Sequence, residues 1–227
     1  MSLKHTLLIF CLIFSLTASA QYQGLGSWNV VTINLPGSTE HRWGGYLEAQ
    51  NRNYGLTSKF YYYEAKGGVS YNLDKNNVAL LGIGRYVTYD EDDVDNGPML
   101  EEFRFWEQFV SNQYLGRIRF EHRYRIEQRW FNTGYRNRFR YRFSSIIPFN
   151  KKKVEPGALY SILYDELFFN NKQPHFERNR VALLLGYQFS KQFAFTAGLL
   201  NQFNNTATGT NRKYYLHLNA IYNIVRK

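Results

Sequence analysis

Arginine recurs at every second position in two successive runs of this chain. The first run places Arg117, Arg119, Glu121, Arg123, Arg125, Glu127 and Arg129 on the odd positions, and the second places Arg136, Arg138, Arg140 and Arg142 on the even ones. A guanidinium is planar, permanently charged and matched to the paired oxygens of carboxylate or phosphate. The chemistry on offer is therefore recognition of anions rather than the making of bonds. Arg104, Arg178 and Arg180 continue the spacing in neighbouring segments. Two readings stand side by side. In one, the arginines form a selective wall for small anionic solutes such as acidic sugars or phosphate-bearing molecules. In the other, Glu48, Glu64, Glu102, Glu121, Glu127 and Glu166 pair with them and fill a narrow, closed interior.

Other chemistry has less to stand on. A hydrolase of the lipase or deacylase type needs a serine or threonine with a histidine in reach. The histidines after position 20 are His41, His122, His175 and His217, none with an obvious serine partner. Asp165 and Glu166 could act as acid and base, yet ion pairs with the arginines account for them equally well. No catalytic residue is assigned. The acidic run Asp90, Glu91, Asp92, Asp93 and Asp95 has the density a hard cation wants, but Val94 interrupts it and Gly97 comes one place late for a calcium loop. It reads as a solvated loop, as Lys151, Lys152 and Lys153 read as a solvated turn, so neither metal nor cofactor is expected.

Alternation dictates the elements that position these residues. Opposite the first arginine run lie Ile118, Phe120, His122, Tyr124, Ile126, Gln128 and Trp130; opposite the second lie Tyr135, Phe139, Tyr141 and Phe143. A helix would scatter the charges around its circumference, whereas a strand gathers them on one face. Other segments repeat the design. Tyr46, Glu48, Gln50 and Arg52 oppose Trp43, Leu47 and Ala49. Glu64, Lys66, Ser70 and Asn72 oppose Tyr61, Tyr63, Ala65, Val69 and Tyr71. Soluble strands run to about 5 or 6 residues, while these exceed the roughly 9 to 11 that cross a bilayer at a tilt. The expected fold is all-β: a transmembrane antiparallel up-and-down β-barrel. Its arginines face the lumen, because one on the lipid side costs about 2 to 4 kcal/mol at the midplane.

Composition agrees. Charged residues make up 20%, mean hydropathy is -0.48, and there are 19 Tyr and 18 Phe. That is too polar for a helical membrane protein and rich in the side chains that gather where membrane meets water. Residues 1–20 read as a cleaved signal peptide: Lys4 and His5 are followed by an apolar core over 7–16, and Ala18, Ser19 and Ala20 form the cleavage site. Cleavage leaves 21–227 as one barrel domain starting at Gln21 and removes Cys11, the chain's one cysteine. The expected location is the bacterial outer membrane. The expected partners are its lipid, the barrel assembly machinery and small anionic solutes. The pI near 9.6 raises nucleic acid as a partner, and export argues against it.

Strand candidates from Gly24 onward number about eleven, whereas bacterial single-chain barrels have even counts. About twelve strands are expected if one is missed near the start, or ten if 24–35 is not a full strand; twelve would favour the anion passage. Connections at 90–98, 170–175 and 204–211 then lie outside the cell, and those at 74–77, 111–112 and 190–192 lie in the periplasm.

One set of motifs carries a resemblance. It comprises Glu102-Phe103-Arg104-Phe105-Trp106 with Gln108, Arg123 with Glu127-Gln128-Arg129, and Arg140-Tyr141-Arg142. Asp165-Glu166 with Phe169-Asn170, Arg178-Asn179-Arg180 and Gly186-Tyr187-Gln188 complete it. Over essentially the whole mature chain this order resembles a family of bacterial exported proteins catalogued as domain of unknown function 2490. The resemblance implies an outer-membrane barrel and carries no reaction with it.

Overall fold

The computed structural model describes residues 24–90 and 92–225, so the segment expected to be a signal peptide and Glu91 fall outside it. Eleven strands follow one another: β1 (Leu25–Leu35), β2 (Trp43–Asn53), β3 (Phe60–Asn72), β4 (Asn77–Thr88), β5 (Leu100–Leu115), β6 (Ile118–Phe131), β7 (Gly134–Pro148), β8 (Leu159–Asn170), β9 (Phe176–Gln188), β10 (Phe193–Thr206) and β11 (Gly209–Asn223). Each pairs antiparallel with the next, and β1 closes the barrel against β11. The closing pair is parallel, in register from Leu25 with Tyr214 to Asn34 with Asn223.

Among the described residues the count is therefore eleven, between the two even alternatives. Strand direction alternates along the chain, so an all-antiparallel closure needs an even number. The parallel seam removes that requirement. The segment at 24–35, out of phase by the even rule, is a full strand.

One turn is displaced and one connection is shorter than its composition suggests. Strand β5 continues to Leu115 and turns at Gly116 and Arg117, where Gly116 takes the positive φ of 58° that a tight turn needs. The polar stretch 204–211 is mostly strand, with β10 and β11 paired as far as Thr206 and Gly209. The connections at 36–42, 73–76, 116–117, 149–158 and 189–192 share one rim with the end of β11. Those at 54–59, 89–99, 132–133, 171–175 and 207–208 share the other with Gly24. The turn expected at 111–112 lies inside β5 and gives way to the one at 116–117; the other loops expected on one side lie with their expected companions.

The outer surface is mostly apolar, with Glu107, Asp165 and the Arg85–Glu101 pair among its charged exceptions. Leu47 is 64% exposed and Leu199 60%, and Val69, Leu81, Ile83, Ile126, Leu163 and Leu183 are all likewise open. Charged and large aromatic side chains fill the inside. Inward glycines make room for the largest of them: a Cβ on Gly82 would lie 2.3 Å from the buried indole of Trp106, and one on Gly186 2.4 Å from the ring of Tyr160.

Candidate functional site: the charged lumen

Every second residue of a strand points inward, so the register across neighbouring strands decides which charges meet. Arg129 sits opposite Arg104 on β5 and Arg136 on β7, while Arg125 faces Arg140 and Arg123 faces Arg142. Like charges directly across a ladder repel. Carboxylates placed between the arginines relieve this. Glu127, 0% exposed, takes Arg138 and Arg140 at 2.5 Å each and Arg125 at 3.4 Å. Glu166 takes Arg123 at 2.5 Å and Arg140 at 2.8 Å. Glu102 bridges Arg104 and Arg129, both at 2.5 Å, and Glu121 holds Arg142 at 2.8 Å. On the facing wall Lys66 lies between Glu48 at 2.6 Å and Glu64 at 2.5 Å, and Arg52 reaches Glu64 at 3.2 Å.

The expected lumen residues Arg104, Arg119, Arg123, Arg125, Arg129, Arg136, Arg138, Arg140, Arg142, Arg178 and Arg180 line one internal cavity of about 1270 Å³, with Glu48, Glu64, Glu102, Glu121 and Glu166. Glu127 is packed behind its arginines. One expectation fails: Arg117 is exposed in the β5–β6 turn and donates to the backbone carbonyl of Phe149 at 3.3 Å, because the strand proper begins one residue later. Asp165 and Glu166 do not form an acid–base pair, since adjacent strand residues point to opposite faces. Asp165 is on the outside, where the amide of Asn179 donates to it. His122 also faces outward, its Nδ1 2.8 Å from the hydroxyl of Tyr141, whereas His217 lines the cavity.

Two lumen residues could not be found by alternation. The register slips where Phe168 pairs with Arg178 but Phe169 pairs with Phe176, leaving Glu177 as the extra residue of a β-bulge. The bulge turns Glu177 into the lumen, where it takes Arg138 at 2.8 Å and Arg129 at 3.0 Å. A second slip at Arg52 and Asn53 does the same for Tyr61, expected on the outer face, whose hydroxyl meets that of Tyr215 at 2.6 Å.

Aromatic rings carry the guanidiniums. The Arg52 Cζ lies 3.5 Å from the Trp28 ring centroid and the Arg180 Cζ 4.7 Å from it. Buried Phe168 has Arg138, Arg140, Arg178 and Arg180 around it at 4.6 to 5.7 Å. Weakly hydrated guanidinium suits such stacking better than ammonium does. Among the described residues, fourteen arginine and lysine side chains line the cavity against six glutamates, with Glu127 behind them. Arg119 and Arg136 line it with no carboxylate of a described residue within ion-pair distance, and Arg178 and Arg180 reach theirs only at 3.8 and 4.0 Å.

The family model described as "Protein of unknown function (DUF2490)" matches residues 25–213, from β1 into β11. No curated protein and no solved structure matches the chain.

Proposed function

The chain belongs to this protein family of unknown function, DUF2490, and from that premise we propose that it is a bacterial outer-membrane barrel whose lumen passes small anionic solutes. The excess of guanidinium over carboxylate along the cavity carries the reading, since fixed positive charge in a low-dielectric enclosure concentrates anions and repels cations. Membrane placement is supported by the outer surface. Strands of 11 to 16 residues suffice for a tilted crossing. Aliphatic side chains at mid-height lie between two aromatic girdles: Phe103, Trp130, Tyr135 and Phe169 near one rim, and Trp43, Phe143, Tyr187 and Tyr222 near the other. The partners are then membrane lipid, the assembly machinery and the solute, with no reaction catalysed.

The test is purified protein in planar bilayers under a salt gradient. The expected reversal potential shows anion preference, reduced by Arg136→Gln and Arg178→Gln and weakened by salt, which screens the field. Arg123, Arg125, Arg138 and Arg140 are poor choices for this substitution because each holds a buried carboxylate or amide partner. A folded barrel without conductance would favour the second reading, a closed salt-bridged barrel, for which the complete enclosure of Glu127 by three arginines speaks.

A further inference from the structure

The two halves of the lumen differ in how their charge is balanced. Along β5 to β8 each guanidinium that meets a carboxylate does so at short range. On β9 the nearest carboxylates to Arg178 and Arg180 are already committed. Glu177, 3.8 Å from Arg178, is held more closely by Arg129 and Arg138 at 3.0 and 2.8 Å. Glu166, 4.0 Å from Arg180, is held by Arg123 and Arg140 at 2.5 and 2.8 Å. Amides supply the close contacts instead. Arg180 Nε donates to Gln202 at 2.8 Å, Arg178 Nε donates to Asn204 at 2.7 Å, and Gln202 donates to Asn204 at 2.9 Å. That relay fixes both guanidinium planes from behind, and their terminal nitrogens make no hydrogen bond to any described residue. Arg52 joins them at the ring of Trp28, with its Nε buried and without a hydrogen-bond partner among the described residues.

We propose that Arg178 and Arg180, with Arg52 beside them, form a binding site for a dianionic phosphoryl group, carried by free phosphate or by a small phosphomonoester. This deepens the luminal reading, and it does not require the lumen to be open from end to end. Two positive charges lacking a close counter-ion call for a dianion. A phosphoryl group brings three terminal oxygens and up to two negative charges to the guanidiniums, where a carboxylate brings two oxygens and one charge. The amide relay supplies preorganisation, because planes held in place lose little freedom on binding.

Trp28 provides the reporter. An anion that draws Arg52 and Arg180 toward itself shifts their contact with the indole and so its emission. The experiment titrates inorganic phosphate, and separately glycerol 3-phosphate, into the full-length barrel in detergent at constant ionic strength, with acetate and chloride as comparators. Tryptophan emission and equilibrium dialysis are read together. The expected result is saturable binding of one or both phosphoryl compounds, at least tenfold tighter than acetate. Which of them binds identifies the source of the group. The Arg178→Gln/Arg180→Gln double variant, checked for folding by its heat-shifted gel band, is expected to bind at least tenfold more weakly. Arg117→Gln, in the exposed turn at the other rim, is expected to bind as the parent does. Equal binding of acetate, an unchanged affinity in the folded double variant, or the same loss in Arg117→Gln would each overturn the site. Conductance in bilayers is scored separately, so a closed barrel that still binds phosphate sinks the pore and keeps the site.

Discussion

Glu127 shows most plainly what the ion pairs cost and contribute. It is fully enclosed and shared by three arginines, so its removal leaves Arg125 without a carboxylate, and Arg138 and Arg140 with only Glu177 and Glu166, which Arg129 and Arg123 also hold. Removing one partner of a buried pair costs about 3 to 5 kcal/mol. Glu127→Gln is expected to lower unfolding stability by that amount, read from the urea midpoint of the barrel in lipid vesicles. Arg136→Gln, at a residue that rests on Phe131 and has no carboxylate partner among the described residues, is expected to cost about 1 kcal/mol or less. Equal losses from the two would refute the division into structural and spare arginines. At this scale the sequence was largely legible, because alternation alone placed eleven of the twelve singled-out arginines and all six glutamates inside. Arg117 escaped because one residue separates strand from turn. Glu177 and Tyr61 escaped because an inserted residue inverts the parity of its neighbours, and no side chain in either segment advertises the insertion.

Among elements, the inward glycines act as spacers for the aromatic layer. Strand β4 presents Gly82 directly opposite Trp106 on β5, and the indole lies over it with no exposure. Gly82→Ala forces the ring or the strand to move, and overpacking of this kind costs about 1 to 3 kcal/mol. The substitution is expected to destabilise the barrel by that much. Trp106→Leu in the same chain is expected to recover part of the loss, so that the double variant is more stable than the sum of the single ones. Additive effects would show that the glycine serves the backbone rather than the indole. Strand lengths and faces could be read from periodicity, whereas strand ends could not. The Asn- and Thr-rich run at 204–211 has the composition of a loop, but its backbone is held by the ladder between β10 and β11.

The closure of the whole molecule turns on one parallel seam. Sequence counting reached eleven strands, and only the parity of antiparallel closure argued for ten or twelve. Which strands meet last is decided by the circumference, and no local pattern encodes that. The seam is open to a direct test, because Val31 and Ala220 are register partners on the outer face and the one native cysteine, Cys11, lies in the expected leader. Val31→Cys with Ala220→Cys is expected to form an intramolecular disulfide under mild oxidation. Val31→Cys with Leu185→Cys is expected to form none. Absence of the first link would mean that β1 and β11 are not neighbours. The odd count also changes how the protein partitions space. A wall with an even number of strands returns the chain to the side it came from. Placed in a membrane, this one makes a single net traverse, like a one-helix anchor, so that a passenger joined ahead of Leu25 and another joined behind Asn223 would be delivered to opposite compartments.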